Sequence, residues 1–381
     1  MELVKLWIFQ TNKKEGCKWW VAELPGELLG FNDWNHLAAL VVSVGVIVIL
    51  LLMLTVYLYY RKLNCRRINK MLPDSQAEKL IKDSSLAQLM SQSSGSGSGL
   101  PNLVQSTIAR QIELLQSIGK GRYGEVWKAR WRHDYMAAKI FYTTEEISWQ
   151  RETEIYKTVL IRHEHILGYI AADIRGTGSW TQLLLLTEFH ERGSLHDELK
   201  RRVEGMTEQE VVRMALTSAI GLAHLHTESN GLSGKPAIAH RDLKTKNILV
   251  KKDGSCCIAD FGLAVRYYSE TGQMNPSPES SNPWVGTKRY MPPEVLDGTI
   301  DLCNFRSFTC GDMYSFGLVL WELATRCLVN GKLYQDYRIP FQDVVPSDPS
   351  YEDMRKVVCV DGQRPYISPN WQDSKVSEMT S

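Results

Sequence analysis

His240-Arg241-Asp242-Leu243-Lys244-Thr245-Lys246-Asn247, with Asp260-Phe261-Gly262 following after a short apolar stretch, decides the reading of this chain. Two carboxylates and an amide in this order bring together oxygen ligands of the kind a hard, octahedral cation takes when it bridges phosphates. Asn247 and Asp260 are the expected metal ligands, which leaves Asp242 free to accept a proton from an attacking hydroxyl.

Working outward, Gly119-Lys120-Gly121-Arg122-Tyr123-Gly124-Glu125-Val126 is a glycine loop between apolar strands, where a bare backbone can approach phosphate oxygens. Such a loop alone is weak, since glycine-rich turns are common. Beyond it stands Met136-Ala137-Ala138-Lys139, with Lys139 expected on the phosphates, although a lone lysine is usually a solvated surface residue. Glu152 in SWQRETEIY is placed to hold Lys139, with Glu154 as the second choice, and Pro292-Pro293-Glu294 closes the series. These elements in one order predict an α+β, bilobal protein kinase fold. A β-rich small lobe comes from the alternation around the glycine loop, and a helical large lobe from the period of VVRMALTSAIGLAHLHT.

The expected chemistry is transfer of the γ-phosphate of ATP to serine or threonine, with Mg²⁺ or Mn²⁺. Asp242, Lys244, Asn247, Lys139 and Glu152 form the machinery. Lys244 and Thr287 mark the serine/threonine class. The nucleotide contacts are Gly119, Lys120, Gly121, Gly124, Val126, Ala137, Lys139, Leu249 and Asp260, with Thr187 behind the adenine and the backbone of Glu188 and His190 as hinge.

A chain of 381 residues with 44% apolar content buries a core, and 44 Lys plus Arg against 43 Asp plus Glu create no field that would recruit nucleic acid. Residues 37–60, LAALVVSVGVIVILLLMLTVYLYY, are uncharged over roughly 36 Å of helix and predict one transmembrane helix. Arg61, Lys62, Arg66, Arg67 and Lys70 follow it, so the kinase is expected in the cytoplasm of a single-pass cell-membrane protein with its N-terminus outside. Of eight cysteines only Cys17 precedes the span, which fits reduced thiols beyond it. The expected organisation is a short extracellular segment 1–36, the helix 37–60, a juxtamembrane and regulatory segment 61–113, and a kinase domain 114–381. Within the third, SQSSGSGSG offers Ser91, Ser93, Ser94, Ser96 and Ser98 for phosphorylation.

SGSGSGLP, GKGRYGEVW, SWQRETEIY, GKPAIAHRDLKTKNILVKKDGSCCIADFGLAV, VGTKRYMPPEVLD and VPSDPSYEDMRKVVC resemble the TGF-β superfamily type I receptors, over roughly residues 85–370. AADIRGTGSWTQL, residues 171–183, is similar to the corresponding loop of the bone morphogenetic protein branch. The resemblance implies Smad proteins as substrates, a type II receptor kinase that phosphorylates the glycine-serine segment, and an inhibitory immunophilin as a candidate partner there. A 36-residue outside segment with one cysteine is not expected to bind a growth factor. The family has DLG where Phe261 stands here, and arginine where Ser106 stands. The resemblance also implies truncation at both ends, a C-terminally incomplete kinase domain, and a buried Glu294 whose arginine partner lies beyond Ser381. A catalytically weak isoform that sequesters partners is the alternative function.

Overall fold

The computed structural model describes residues 5–12, 16–23, 102–121, 123–158, 160–176, 181–229, 234–277, 282–329 and 336–368. The expected membrane span 37–60 and the serines at 91, 93, 94, 96 and 98 lie outside them. Among the described residues no helix is long and apolar enough to cross a membrane. The chain forms two compact units, 1–76 and 77–381. In the first, β1 (Lys5–Asn12) pairs antiparallel with β2 (Gly16–Glu23), a hairpin that alternation of large apolar residues in KLWIFQTN and GCKWWVAE favours.

In the second unit, α1 (Asn102–Gln111) leads into β3 (Glu113–Lys120), β4 (Gly124–Trp131) and β5 (Asp134–Phe141). After α2 (Glu146–Tyr156) come β6 (Tyr169–Gly176) and β7 (Thr181–Glu188), and the five strands form one antiparallel sheet in the order β3-β4-β5-β7-β6. One face of this sheet meets α1. Ile108, Ala109 and Ile112 join Trp131, Met136, Ile170, Leu184 and Leu186 in the small-lobe core, so that packing begins ahead of the expected boundary at 114. Buried Gln105 ties the helix down by accepting from the Tyr169 hydroxyl at 2.8 Å and the Ala172 N–H at 3.4 Å.

The large lobe is helical. α3 (Leu195–Arg201) and α4 (Glu208–His226) both begin with capping boxes, Ser194 with Asp197 and Thr207 with Glu210, which satisfy first-turn N–H groups. The short strands β8 (Ala237–Ala239), β9 (Ile248–Val250) and β10 (Cys256–Ile258) carry the catalytic loop, and β11 (Val265–Tyr268) and β12 (Gln273–Asn275) follow it. α5 (Pro293–Leu296) precedes α6 (Phe305–Thr325), the central helix, and α7 (Tyr351–Arg355) runs into a π turn over Lys356–Val360. α6 is buried along twelve of its 21 residues, which is why its apolar residues show so little one-sided pattern. Glu294, expected to be buried, is half-buried, and its carbonyl accepts from the N–H groups of Thr299 and Ile300.

Candidate active site

Asp312, 1% exposed on α6, sets the backbone of the catalytic loop. Its carboxylate accepts from the N–H groups of His240 and Arg241, both at 2.7 Å, and lies 2.9 Å from His226 Nε2. Arg241 is thereby held at a φ of 67°, a left-handed conformation that a non-glycine residue keeps only under such constraint. Asp242 projects from the next position. Its Oδ1 accepts from the Thr287 N–H at 2.8 Å, and its Oδ2 from Lys244 Nζ at 2.7 Å and Asn247 Nδ2 at 3.2 Å. Lys244 Nζ also donates to the Thr287 hydroxyl at 2.6 Å. The two residues that mark the serine/threonine class in sequence therefore touch, 43 positions apart. Gly286 lets this closure happen, because at its φ of 109° a Cβ would stand 2.7 Å from the Arg241 carbonyl.

Lys139, on β5, donates to Glu152 Oε2 at 2.7 Å and to Asp260 Oδ1 at 2.8 Å. Glu152 is held inward by α2 and is 2% exposed. Burial penalises the Lys139 ammonium, but the two carboxylates outweigh that and raise its pKa. Burial likewise opposes ionisation of Asp260, yet Lys139 holds its carboxyl below the ordinary value. Glu152 is the acid that burial wins, and it is pushed up to about 7 against the pull of Lys139. The alternative partner, Glu154, faces away and pairs with Arg266 at 2.6 Å.

A cavity of about 400 Å³ opens between these groups. Gly121, Gly124 and Val126 line its roof with Ala137, Thr187 lies on one wall, and Leu249, Lys139, Asn247 and Asp260 complete it. Gly124 must be glycine, since a Cβ there would fall 2.0 Å from the Ile140 carbonyl. Four of the expected nucleotide contacts do not line the cavity. Gly119 is paired in β3 with Val126, and Lys120 turns outward to Glu125 at 3.2 Å. Glu188 ends β7 with its N–H on the Gly168 carbonyl, and the His190 carbonyl accepts from Gly193. β3 continues through Lys120, Gly121 alone of the three glycines stands between the strands, and Gly124 opens β4.

Sequence reasoning missed Tyr156, Leu167, Leu185 and Leu263, which also line the cavity. Two of them were within reach: Tyr156 stands one helical turn after Glu152, and Leu185 shares a strand face with Thr187. Phe261 is fully buried, edge-on to Tyr156 at 5.1 Å and 5.5 Å from His240, so the departure from DLG fills a prepared slot.

The arrangement can hold an anionic nucleotide and deprotonate a hydroxyl. Its donor set also fits a divalent metal. Asn247 gives its Nδ2 to the Asp242 carbonyl at 2.8 Å, which leaves its amide oxygen as the ligating atom, and the Asp260 carboxyl is kept ionised.

Residues 112–343 match the protein kinase domain family, and residues 85–110 match the transforming growth factor beta type I GS-motif. The chain belongs to the TGF-beta/activin type I receptor serine/threonine kinases. TGF-beta receptor type-1 of Rattus norvegicus is 52% identical over 344 residues, covering 88% of this chain and 67% of the relative. Its Homo sapiens counterpart gives the same identity and coverage. Activin receptor type-1 of Homo sapiens is 57% identical over 293 residues, 76% of this chain and 56% of the relative. The chain thus spans from just over half to about two thirds of the length of these relatives. It is a receptor serine/threonine kinase, a class of enzyme that uses ATP and a divalent metal ion.

Proposed function

We propose that this kinase phosphorylates C-terminal serines of Smad proteins, with Mg²⁺ or Mn²⁺ held by Asn247 and Asp260. The observation that carries catalytic competence is the joint geometry of the two clusters. Lys139 is within 2.8 Å of both Glu152 and Asp260, while Asp242 is oriented by three donors. Asp242 takes the hydroxyl proton as the acceptor oxygen bonds to the γ-phosphorus and the bond from that phosphorus to the β–γ bridging oxygen breaks, releasing ADP. Lys244 and Lys139 stabilise charge on the transferring group, and bound metal supplies further neutralisation of the phosphates. This completeness favours an active enzyme over a partner-sequestering one.

The Smad assignment rests on membership of the family, and the bone morphogenetic protein branch on residues 171–183. We assign residues 37–60 to a single membrane span with the kinase on the cytoplasmic side, supported by the apolar run and the basic residues after it. A type II receptor kinase acting on Ser91, Ser93, Ser94, Ser96 and Ser98, with an inhibitory immunophilin at the same segment, fits the GS-motif match. Purified full-length chain incubated with ATP, either metal and Smad tails should incorporate phosphate at serine, and Asp242→Asn should lower the rate by about 10²–10⁴-fold. Equal incorporation by the variant overturns the assignment of Asp242.

A further inference from the structure

Beside the catalytic loop lies a second cavity, of about 350 Å³, that shares Lys244, Lys246, Gly286 and Thr287 with the nucleotide cavity. Its remaining wall brings in Lys288, Arg289 and His196. It therefore begins at Lys244 and Thr287, both bonded to Asp242, and extends to residues that the nucleotide cavity does not include, the place an acceptor segment must occupy for in-line transfer.

The charges around it are unbalanced. Lys244 is matched by Asp242 at 2.7 Å. Lys246 is exposed and has no ion pair among the described residues. Lys288 donates to the Pro349 carbonyl at 2.9 Å and lies 3.7 Å from Asp348, a carboxylate 97% exposed and so heavily screened. Arg289 is buried on the carbonyls of Pro340, Pro346 and Ser347 without a carboxylate. Two acids stand behind the wall. Asp197 is taken up in the cap of Ser194, and Glu322, beneath Tyr290, is fully buried on hydroxyls, where burial raises its pKa to about 7 and so lessens its charge. His196, which lines the cavity with Lys246, has its pKa lowered by burial first and by that lysine second.

We propose that this cavity holds the acceptor segment and selects one that carries negative charge, carboxylate or phosphate, within a few residues of the reacting hydroxyl. This rests on the kinase reading above and adds the substrate's charge to it. A cationic neighbour would meet Lys246 unshielded, whereas an anion replaces bulk counterions there. A phosphoserine, with about −1.5 to −2 charge, gains more than a carboxylate from the same lysines.

The test uses full-length chain and three peptides with one free serine, flanked by glutamine, by aspartate or by phosphoserine. Transfer efficiency should rise in that order, by about tenfold from first to last. Lys246→Glu and Lys288→Ala should each flatten the series through the peptide KM, and Lys246→Glu should favour a lysine-flanked peptide over the aspartate one. Aspartate and phosphoserine peptides of equal efficiency would still support selection by sign of charge. A native enzyme indifferent to the flanks overturns the proposal, as does Lys246→Glu with its preference intact. A change confined to the KM for ATP would reassign Lys246 to the nucleotide and also overturn it. If no peptide is phosphorylated and ATP is not turned over, the kinase reading falls as well.

Discussion

Glu152 and Glu322 are both buried carboxylates that burial pushes up to about 7, yet their surroundings differ completely. Glu152 meets the Lys139 ammonium, which it shares with Asp260. Glu322 meets only hydroxyls: Tyr290 at 2.5 Å, Tyr337 at 2.6 Å and Thr245 at 3.1 Å. The first arrangement is a set of charges that can change partners when phosphates and metal arrive. The second fastens the catalytic loop, through Thr245, and the segment before α5, through Tyr290, to the central helix α6. Exchangeable ions belong where ligands bind, and a hydroxyl network suffices where geometry must only persist.

The comparison breaks most severely at Lys139. Lys139→Met removes the cation from two acids and from the nucleotide phosphates, and kcat/KM should fall by about 10³-fold, equivalent to about 4 kcal/mol of lost transition-state stabilisation. Glu152 and Asp260 would then face one another without compensation. The variant's melting temperature should recover toward the native value as pH is lowered from 8 to 5 and the acids protonate. A deficit independent of pH would mean that the ion triad does not dominate the cost.

Glu322 gives the next effect, and it is one of stability. Its folded pKa is raised above the ordinary value of 4.5, so the folded state holds the proton more tightly. The contribution is present at low pH and is lost as pH climbs through about 7, with a limit of about 3 kcal/mol over the window. Glu322→Gln cannot titrate, so its stability relative to native should rise between pH 5 and pH 8. Chemical denaturation at both pH values checks the sign, and parallel native and variant curves would refute it.

Phe261→Leu, which restores the residue typical of the family, comes third. The ring is fully buried against Tyr156 and His240, so a smaller side chain should cost about 1–2 kcal/mol in melting experiments. Activity should stay within a few-fold of native, because Asp260 keeps its place. A large activity loss would show that the ring stack, and not only Lys139, positions Asp260.

The site was more legible than its frame. Asp242, Asn247, Asp260 and Lys139 stand out because metal and phosphate chemistry demands particular atoms, and those demands are written as residue types at short spacing. Roles that depend on burial alone were less visible. Asp312 and Glu322 lie inside α6, where FRSFTCGDMYSFGLVLWELAT carries no sign that two of its acids face inward. The entry of α1 into the small-lobe core was hidden for a similar reason: Ile108 and Ala109 lie on a helix of mixed polarity, Ile112 just beyond its end, and only the sheet opposite makes them core. The glycine motif gives the spacing of Gly119, Gly121 and Gly124 but not where the strand stops, and Gly119 and Lys120 lie within β3.

The smallest effect is expected at Glu154, and it is the one that separates two acids of a single helix. Sequence alone left Glu152 and Glu154 both available to Lys139, because residues two apart on a helix point to different sides and either side could have been inward. In the structure Glu154 is 59% exposed and bonds Arg266, so water and salt screen most of their attraction. Glu154→Gln should therefore cost under about 1 kcal/mol in stability and change kcat/KM by less than about twofold. Glu152→Gln, by contrast, leaves Lys139 with one carboxylate, and its activity should fall by about 10-fold or more. Measuring the two variants side by side at low and high salt sharpens the test. The small stability deficit of Glu154→Gln should vanish at high salt, while the activity loss of Glu152→Gln, arising at a buried pair, should persist. Equal losses in the two variants would mean that α2 can present either acid to Lys139, and that the inward face of this helix is not set by its packing.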